Sequence, residues 1–217
     1  MKPTSQQIEL LKNYLRYTLA YRETYEEIYD HVLSAVEDCT SDISFQDAVN
    51  NIIHADFGGA KGLIKIEKQY HHSVVDEVIG QQWRNFTESF KFPEVIYSLL
   101  LWGVIYYSLV YVTIQPYFIM FLNIALLITP RIVILIRSYK IGRAYKDVKT
   151  SIKDKILRQV SSIPILIIIL LSIAGNKTHF RFAAHPFIMS LLLFTITLYV
   201  VAFIKLCRQD FKAYQLT

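Results

Sequence analysis

The chain has 217 residues, 53% of them hydrophobic, and a mean hydropathy of +0.31. This composition is too apolar for one ordinary soluble domain. The formal net charge of +5 is unevenly distributed, because residues 1–91 hold nine Lys/Arg and fourteen Asp/Glu whereas residues 92–217 hold fourteen and four. The basic excess flanks apolar runs, where anionic lipid explains it without direct nucleic-acid binding.

Residues 1–91 have the pattern of a small helical domain with four helices. Thr4 followed by Gln7 forms a capping-box signature at the start of the first helix. Ser44 followed by Asp47 gives a second helix start, and the glycines after Phe57 suit a helix end in the left-handed conformation. The sequence therefore predicts a domain boundary near residue 91.

One helix and one turn of this domain are the candidate partner surface or domain core, and both interpretations remain open. The helix spans about residues 23–37 and its apolar residues recur at helical spacing. The candidate residues are Tyr25, Ile28, Tyr29 and Val32 on this helix and Phe57, Gly58 and Gly59 at the turn.

Four apolar runs follow, and they predict transmembrane helices at about residues 94–114, 117–136, 158–175 and 187–206. A helix needs about 20 apolar residues to cross about 30 Å of hydrocarbon. The third run, residues 160–174, would cover only about 22 Å, so it either spans a locally thinned bilayer or forms a core helix. The predicted fold is all-α, with an N-terminal helical cytoplasmic domain and a four-helix transmembrane bundle.

The loops predict the orientation of these helices. Residues 137–158 hold eight Lys/Arg against two Asp, and the positive-inside rule places this loop in the cytoplasm. Four spans then put the N-terminus and the tail, residues 208–217, on the cytoplasmic side of the inner membrane. Residues 140–156 form either a solvated loop or a short amphipathic helix on the inner leaflet.

Two polar residues inside the second run are candidate intramembrane sites. Arg131 lies near the cytoplasmic end of its run, so its side chain either snorkels to the interface or makes an ion pair or anion contact, with Glu94 as a candidate partner. Asn123 lies near mid-membrane and is expected to form a hydrogen bond between helices.

The motifs of the common enzyme and metal classes are absent from the sequence. It contains no HExxH, paired Cys/His spacing, GxxxxGK[ST], GxGxxG or GxSxG. We therefore expect neither catalytic residues nor a cofactor nor a metal site, and we interpret the chain as a non-enzymatic membrane protein.

The soluble region resembles the HAAS-type cytoplasmic helical domain over about residues 5–70. The matching features are Tyr25-Glu26-Glu27, Asp30-His31, Ser44 with Asp47-Ala48, and Phe57-Gly58-Gly59. In that family the domain precedes membrane helices and is often encoded beside PadR-like transcriptional regulators or ahead of permease modules. The resemblance implies a signalling or regulatory role through a cytoplasmic protein partner.

The alternative hypothesis is a transporter component or permease accessory subunit, with Asn123 and Arg131 beside a solute path. Under either hypothesis the lipid bilayer is the main partner, and a homo-oligomer remains open.

Overall fold

A computed structural model describes residues 2–39, 43–111, 116–142, 149–178 and 185–214. The described residues form α-helices and connecting turns without a strand, which confirms the all-α prediction. The helices are α1 (Ser5–Thr18), α2 (Arg22–Glu37), α3 (Phe45–Phe57), α4 (Gly59–Glu88), α5 (Glu94–Tyr111), α6 (Pro116–Gly142), α7 (Ile152–Val160), α8 (Ile163–Thr178) and α9 (Pro186–Tyr214).

The chain divides into two compact units. Unit 1 comprises Met1–Glu77 together with Tyr145–Ile156, and unit 2 comprises Val78–Ala144 together with Leu157–Thr217. The sequence predicts a boundary near residue 91, whereas the compact units divide inside α4. This helix continues without a break through Gly80.

The helix boundaries of unit 1 follow the predicted capping signals. Thr4 N donates to Gln7 Oε1 over 2.8 Å, and Gln7 N donates to Thr4 Oγ1 over 3.4 Å, so the predicted capping box is confirmed. Ser44 caps α3 by accepting from Asp47 N. Gly58, at φ 72°, ends α3 in the left-handed conformation that favours glycine.

In unit 1, a hydrophobic core lies between α1, α2, α3 and the start of α4. Each of these helices places one apolar face inward, and burying an aliphatic side chain contributes about 1.5–3 kcal/mol. The buried residues are Leu11, Leu15, Leu19, Ile28, Val32, Val36, Phe45, Ala48, Val49, Ile53 and Leu63.

In the described part of unit 2, three helices are long and apolar enough to cross a membrane, in the segments Glu94–Tyr111, Phe121–Tyr139 and Pro186–Gln209. The predicted span 158–175 instead starts inside α7 and continues into α8, because a turn at Ser161 and Ser162 separates these helices. Pro164 suits the first turn of α8, where a missing N–H costs little. With 16 residues, α8 is about 24 Å long.

Helix α9 is the centre of unit 2, where it packs against α5 and α6. Of its apolar segment 44% is buried, compared with 6% in α5 and 17% in α6, so most of the surface of those two helices faces outward. The Trp102 indole donates to Ser190 Oγ over 3.2 Å and fixes α5 against the start of α9.

Some sequence predictions concern residues outside the described ranges. These are the connection at 40–42, the turn near residue 115, residues 143–148 of the basic loop, the outer segment 179–184 and the last residues of the tail.

Candidate functional site

The connection between α1 and α2 is held by a lysine from a distant part of the chain. Lys149 Nζ donates to the carbonyl oxygens of Arg16 and Leu19, at the C-terminal end of α1. The last carbonyls of a helix have no partner within the helix and carry partial negative charge, so an ammonium group stabilises them. Burial lowers the pKa of Lys149, whereas the Glu67 carboxylate raises it and Arg16 lowers it further.

The start of α2 is held by a carboxylate from α4. Glu67 Oε1 accepts from Ala20 N over 2.8 Å, from Tyr21 N over 2.9 Å and from the Thr24 hydroxyl over 2.9 Å. Tyr21 occupies the N-cap position and makes no side-chain capping bond, so Glu67 supplies the missing cap. Only 7% of Glu67 is exposed, which makes these charge-assisted bonds strong.

A second carboxylate, from the first turn of α2, holds the start of α7. Glu23 accepts from the Ser151 hydroxyl and, over 3.1 Å, from Ile152 N. Ser151 Oγ in turn accepts from Asp154 N, so it is the side-chain cap of α7. The negative charge of Glu23 is favourable at this helix N-terminus.

We call Glu23, Glu67, Lys149 and Ser151 the capping cluster. All four lie in unit 1, although Lys149 and Ser151 belong to the connection between α6 and α8. Ile152 and Ile156, one turn apart, are 0% and 2% exposed, so apolar packing holds this segment as well. The arrangement fixes the segment 149–156 as part of unit 1.

The basic residues at 137–158 predict a cytoplasmic loop, and the capping cluster is not predicted from the sequence. The local signal was present, because Ser151 three residues before Asp154 resembles a helix start, and Ile152 with Ile156 gives one apolar face. The contacts of Glu23 and Glu67 have no such signal, because each joins residues distant in the sequence.

The structure places the candidate residues of α2 and of the α3–α4 turn in one neighbourhood. Ile28 and Val32 are buried in the core, and Tyr25, Tyr29 and Phe57 are partly buried against it. Burial raises the pKa of Tyr25, whose ring also lies 5.9 Å from Lys149 Nζ. Tyr25 therefore contacts both the core and the capping cluster.

The two glycines of the turn are there for conformational reasons. Gly58 and Gly59 have φ angles of 72° and 78°, a region that L side chains rarely adopt. A Cβ on Gly59 would also lie 3.0 Å from the His54 ring.

The last turns of α4 are fixed to the last turns of α9 by polar side chains. Gln81 Nε2 donates to Gln209 Oε1 over 3.1 Å, and Asn85 Nδ2 donates to the same oxygen over 3.2 Å. Glu88 forms an ion pair with Lys205. The hydrogen bond and charge of Lys205 lower the pKa of Glu88, so its carboxylate is ionised at neutral pH.

The two candidate intramembrane residues lie apart. Arg131 Nη2 donates to Ser162 Oγ over 2.5 Å, at the turn between α7 and α8. Asn123 is half-buried on the same helix, eight residues earlier, so the two positions are separated by about 12 Å along the axis. They do not form one site.

No group of three or more His, Cys, Asp or Glu side chains in the described part of the chain is arranged to hold a metal ion. The chain matches no protein-family model, and comparison with curated proteins and with solved structures likewise gave no match.

Proposed function

We propose that this chain is a multi-pass inner-membrane protein with a signalling or regulatory role, exerted through its N-terminal helical domain. The observation that carries the proposal is the capping cluster. Through it, the domain holds the segment 149–156, which lies in the chain between the membrane-length helix α6 and the apolar helix α8. A partner that binds the domain thereby acts on a connection between membrane helices.

The capping cluster supports a topology in which α5 and α6 cross the membrane as a pair. Residues 2–77, which precede α5, and residues 149–156, which follow α6, belong to one compact unit, so they lie on the same side of the bilayer. Two crossings between them satisfy this condition. The positive-inside rule makes that side the cytoplasm.

The contacts of α9 support a further pair of crossings. Gln209 and Lys205, near the end of α9, contact Gln81 and Glu88 in the last turns of α4. We therefore place the end of α9 beside the last turns of α4, on the cytoplasmic side, and the start of α9 on the other side. Because α7 lies on the cytoplasmic side, α8 must cross the bilayer despite its length of about 24 Å, with local thinning at modest cost.

The exposed face of α1 offers a surface for a cytoplasmic protein partner. Leu10, Tyr14 and Tyr17 recur at helical spacing and are 67%, 40% and 90% exposed. Amphipathic helices dock into partner grooves through such positions. A partner transmits a signal only if it binds two conformations of the domain with different affinity. In this proposal, the two conformations differ in whether the hydrogen bonds of the capping cluster are formed.

The test uses the full-length, affinity-tagged protein, crosslinked in its own cells and purified in detergent. We expect a DNA-binding regulator, such as a PadR-like protein, to co-purify with the wild type. Tyr17→Asp should abolish its recovery, because it places a charge in the apolar face. Ser34→Asp, which adds the same charge at an exposed position of α2, should not.

Recovery of transporter subunits in place of a regulator would favour the alternative, a permease accessory role. The failure of any cytoplasmic protein to co-purify, or equal recovery with Tyr17→Asp, would contradict a role through this surface.

A further inference from the structure

Unit 2 contains an apolar groove of about 440 Å³. It lies between the last turns of α4, the first turns of α8 and the middle of α9, and this volume is typical of small-molecule sites. Its main lining residues are Trp83, Phe86, Ile163, Ile167, Leu192 and Ile196.

Two polar groups at the groove wall donate to backbone carbonyls. The Tyr199 hydroxyl donates to the Val160 carbonyl over 2.8 Å, and Gln82 Nε2 donates to the Tyr199 carbonyl over 3.3 Å. Gln82 Oε1 is buried and has no hydrogen-bond partner in the described part of the chain, but the surface of the groove itself is formed by apolar atoms. The occupant recognised by such a surface is hydrocarbon.

The position of the groove in the chain points to the same chemistry. Its α9 residues, between Leu192 and Tyr199, lie inside the candidate membrane span Pro186–Gln209. Trp83 is 65% exposed and Ile167 is 42% exposed, which is unfavourable in water but not in a bilayer. The ring of Trp83 suits the membrane interface, where tryptophan is enriched.

The charged residues near the groove indicate which lipid headgroup would accompany the hydrocarbon chain. Exposed basic residues lie in the segments next to the groove, at Arg84 in α4, Lys91 after α4, Arg158 in α7 and Arg208 near the end of α9. The acidic residue of the last turns of α4, Glu88, is paired with Lys205. We call these four positions, which neighbour the groove in the chain, its basic rim, and basic clusters at the inner leaflet attract anionic lipids.

We propose that this groove binds an acyl chain of an anionic phospholipid, whose headgroup lies at the basic rim. The proposal rests on the insertion of unit 2 in the bilayer and not on the regulatory role. The bound lipid fills the space between α4, α8 and α9.

The two tryptophans provide the test. Trp102→Phe leaves Trp83 in the groove as the single fluorophore, and Trp83→Phe leaves Trp102 on α5. Each full-length variant is reconstituted in nanodiscs of unlabelled phosphatidylcholine. Increasing fractions of a lipid with dibrominated acyl chains, either phosphatidylglycerol or phosphatidylcholine, are then included. The bromine atoms quench tryptophan fluorescence on contact. We expect Trp83 to be quenched at a roughly tenfold lower fraction of the brominated phosphatidylglycerol, and Trp102 to be quenched equally by both.

Substitutions that fill the groove should remove the preferential quenching of Trp83 by brominated phosphatidylglycerol. Ile163→Phe/Ile167→Phe, combined with Trp102→Phe, enlarges two lining side chains one turn apart on α8. Leu166→Phe/Leu170→Phe makes the same change at outward positions that are 54% and 66% exposed. We expect only the first pair to abolish the selective quenching of Trp83.

Equal quenching of Trp83 by the two lipids, or a preference that survives groove filling, would overturn the proposal. If Trp102 is quenched and Trp83 is not, then protein rather than lipid covers the groove, for example a second copy of the chain. This result would also overturn the proposal. If neither tryptophan is quenched, the membrane insertion itself is wrong.

Discussion

Among single residues, Glu67 combines deep burial with three hydrogen bonds to the start of α2. We expect Glu67→Ala to lower the free energy of unfolding of unit 1 by about 2–4 kcal/mol, because two backbone N–H groups lose their acceptor. Glu67→Gln keeps an amide oxygen at the same position and should cost less than half as much. The measurement is urea-dependent alkylation of the half-buried Cys39 thiol in the full-length protein.

A loss in Glu67→Gln as large as in Glu67→Ala would contradict this explanation, because the charge rather than the acceptor would then be decisive.

Two neighbouring leucines of α1 test the position of the core. Leu11 is 2% exposed and Leu10 is 67% exposed. Leu11→Ala should destabilise unit 1 by about 2–5 kcal/mol through the lost burial and the cavity, whereas Leu10→Ala should change it by less than about 0.5 kcal/mol. The same alkylation assay compares the two variants, and equal effects would mean that α1 presents a different face to the core.

At the level of whole helices, α7 depends on a cap supplied by α2. Glu23→Ala removes the acceptor of Ser151 and Ile152 at the start of α7. The loss of charge-assisted bonds worth about 1.5–3 kcal/mol should raise local opening of residues 149–156 roughly ten- to hundredfold. We expect correspondingly faster tryptic cleavage after Lys153 and Lys155, followed by mass spectrometry.

Glu27→Ala is the matched control, because Glu27 is an exposed carboxylate one turn further along α2. Equal cleavage rates in the two variants would show that the apolar packing of Ile152 and Ile156, rather than the cap, holds the segment.

The helices also show how far local sequence signals reach. Thr4, Ser44 and Gly58 act on backbone groups within a few residues, so their capping roles were predictable. Glu67 and Lys149 act on groups 46 and 130 residues away, and only the tertiary fold brings them together. The length of α8 was limited by the turn at Ser161 and Ser162, whose hydroxyls bond the Arg158 carbonyl.

At the scale of the whole molecule, we propose a topology with four membrane crossings and a cytoplasmic N-terminal domain. Among the described residues, three helices have the length and composition of membrane spans. The proposed topology adds a fourth crossing by α8, and the contacts of α9 with α4 support it. In the alternative topology, α8 does not cross the bilayer, and the N-terminal domain and the end of α9 would lie on opposite sides of the membrane.

Cysteine accessibility in intact cells distinguishes these topologies most directly. In full-length protein with Cys39→Ser and Cys207→Ala, single cysteines are introduced as Lys177→Cys at the end of α8 and as Ala213→Cys near the end of α9. With a membrane-impermeant maleimide, we predict labelling at position 177 in intact cells and at position 213 only after permeabilisation. Labelling at position 213 in intact cells would contradict the four crossings.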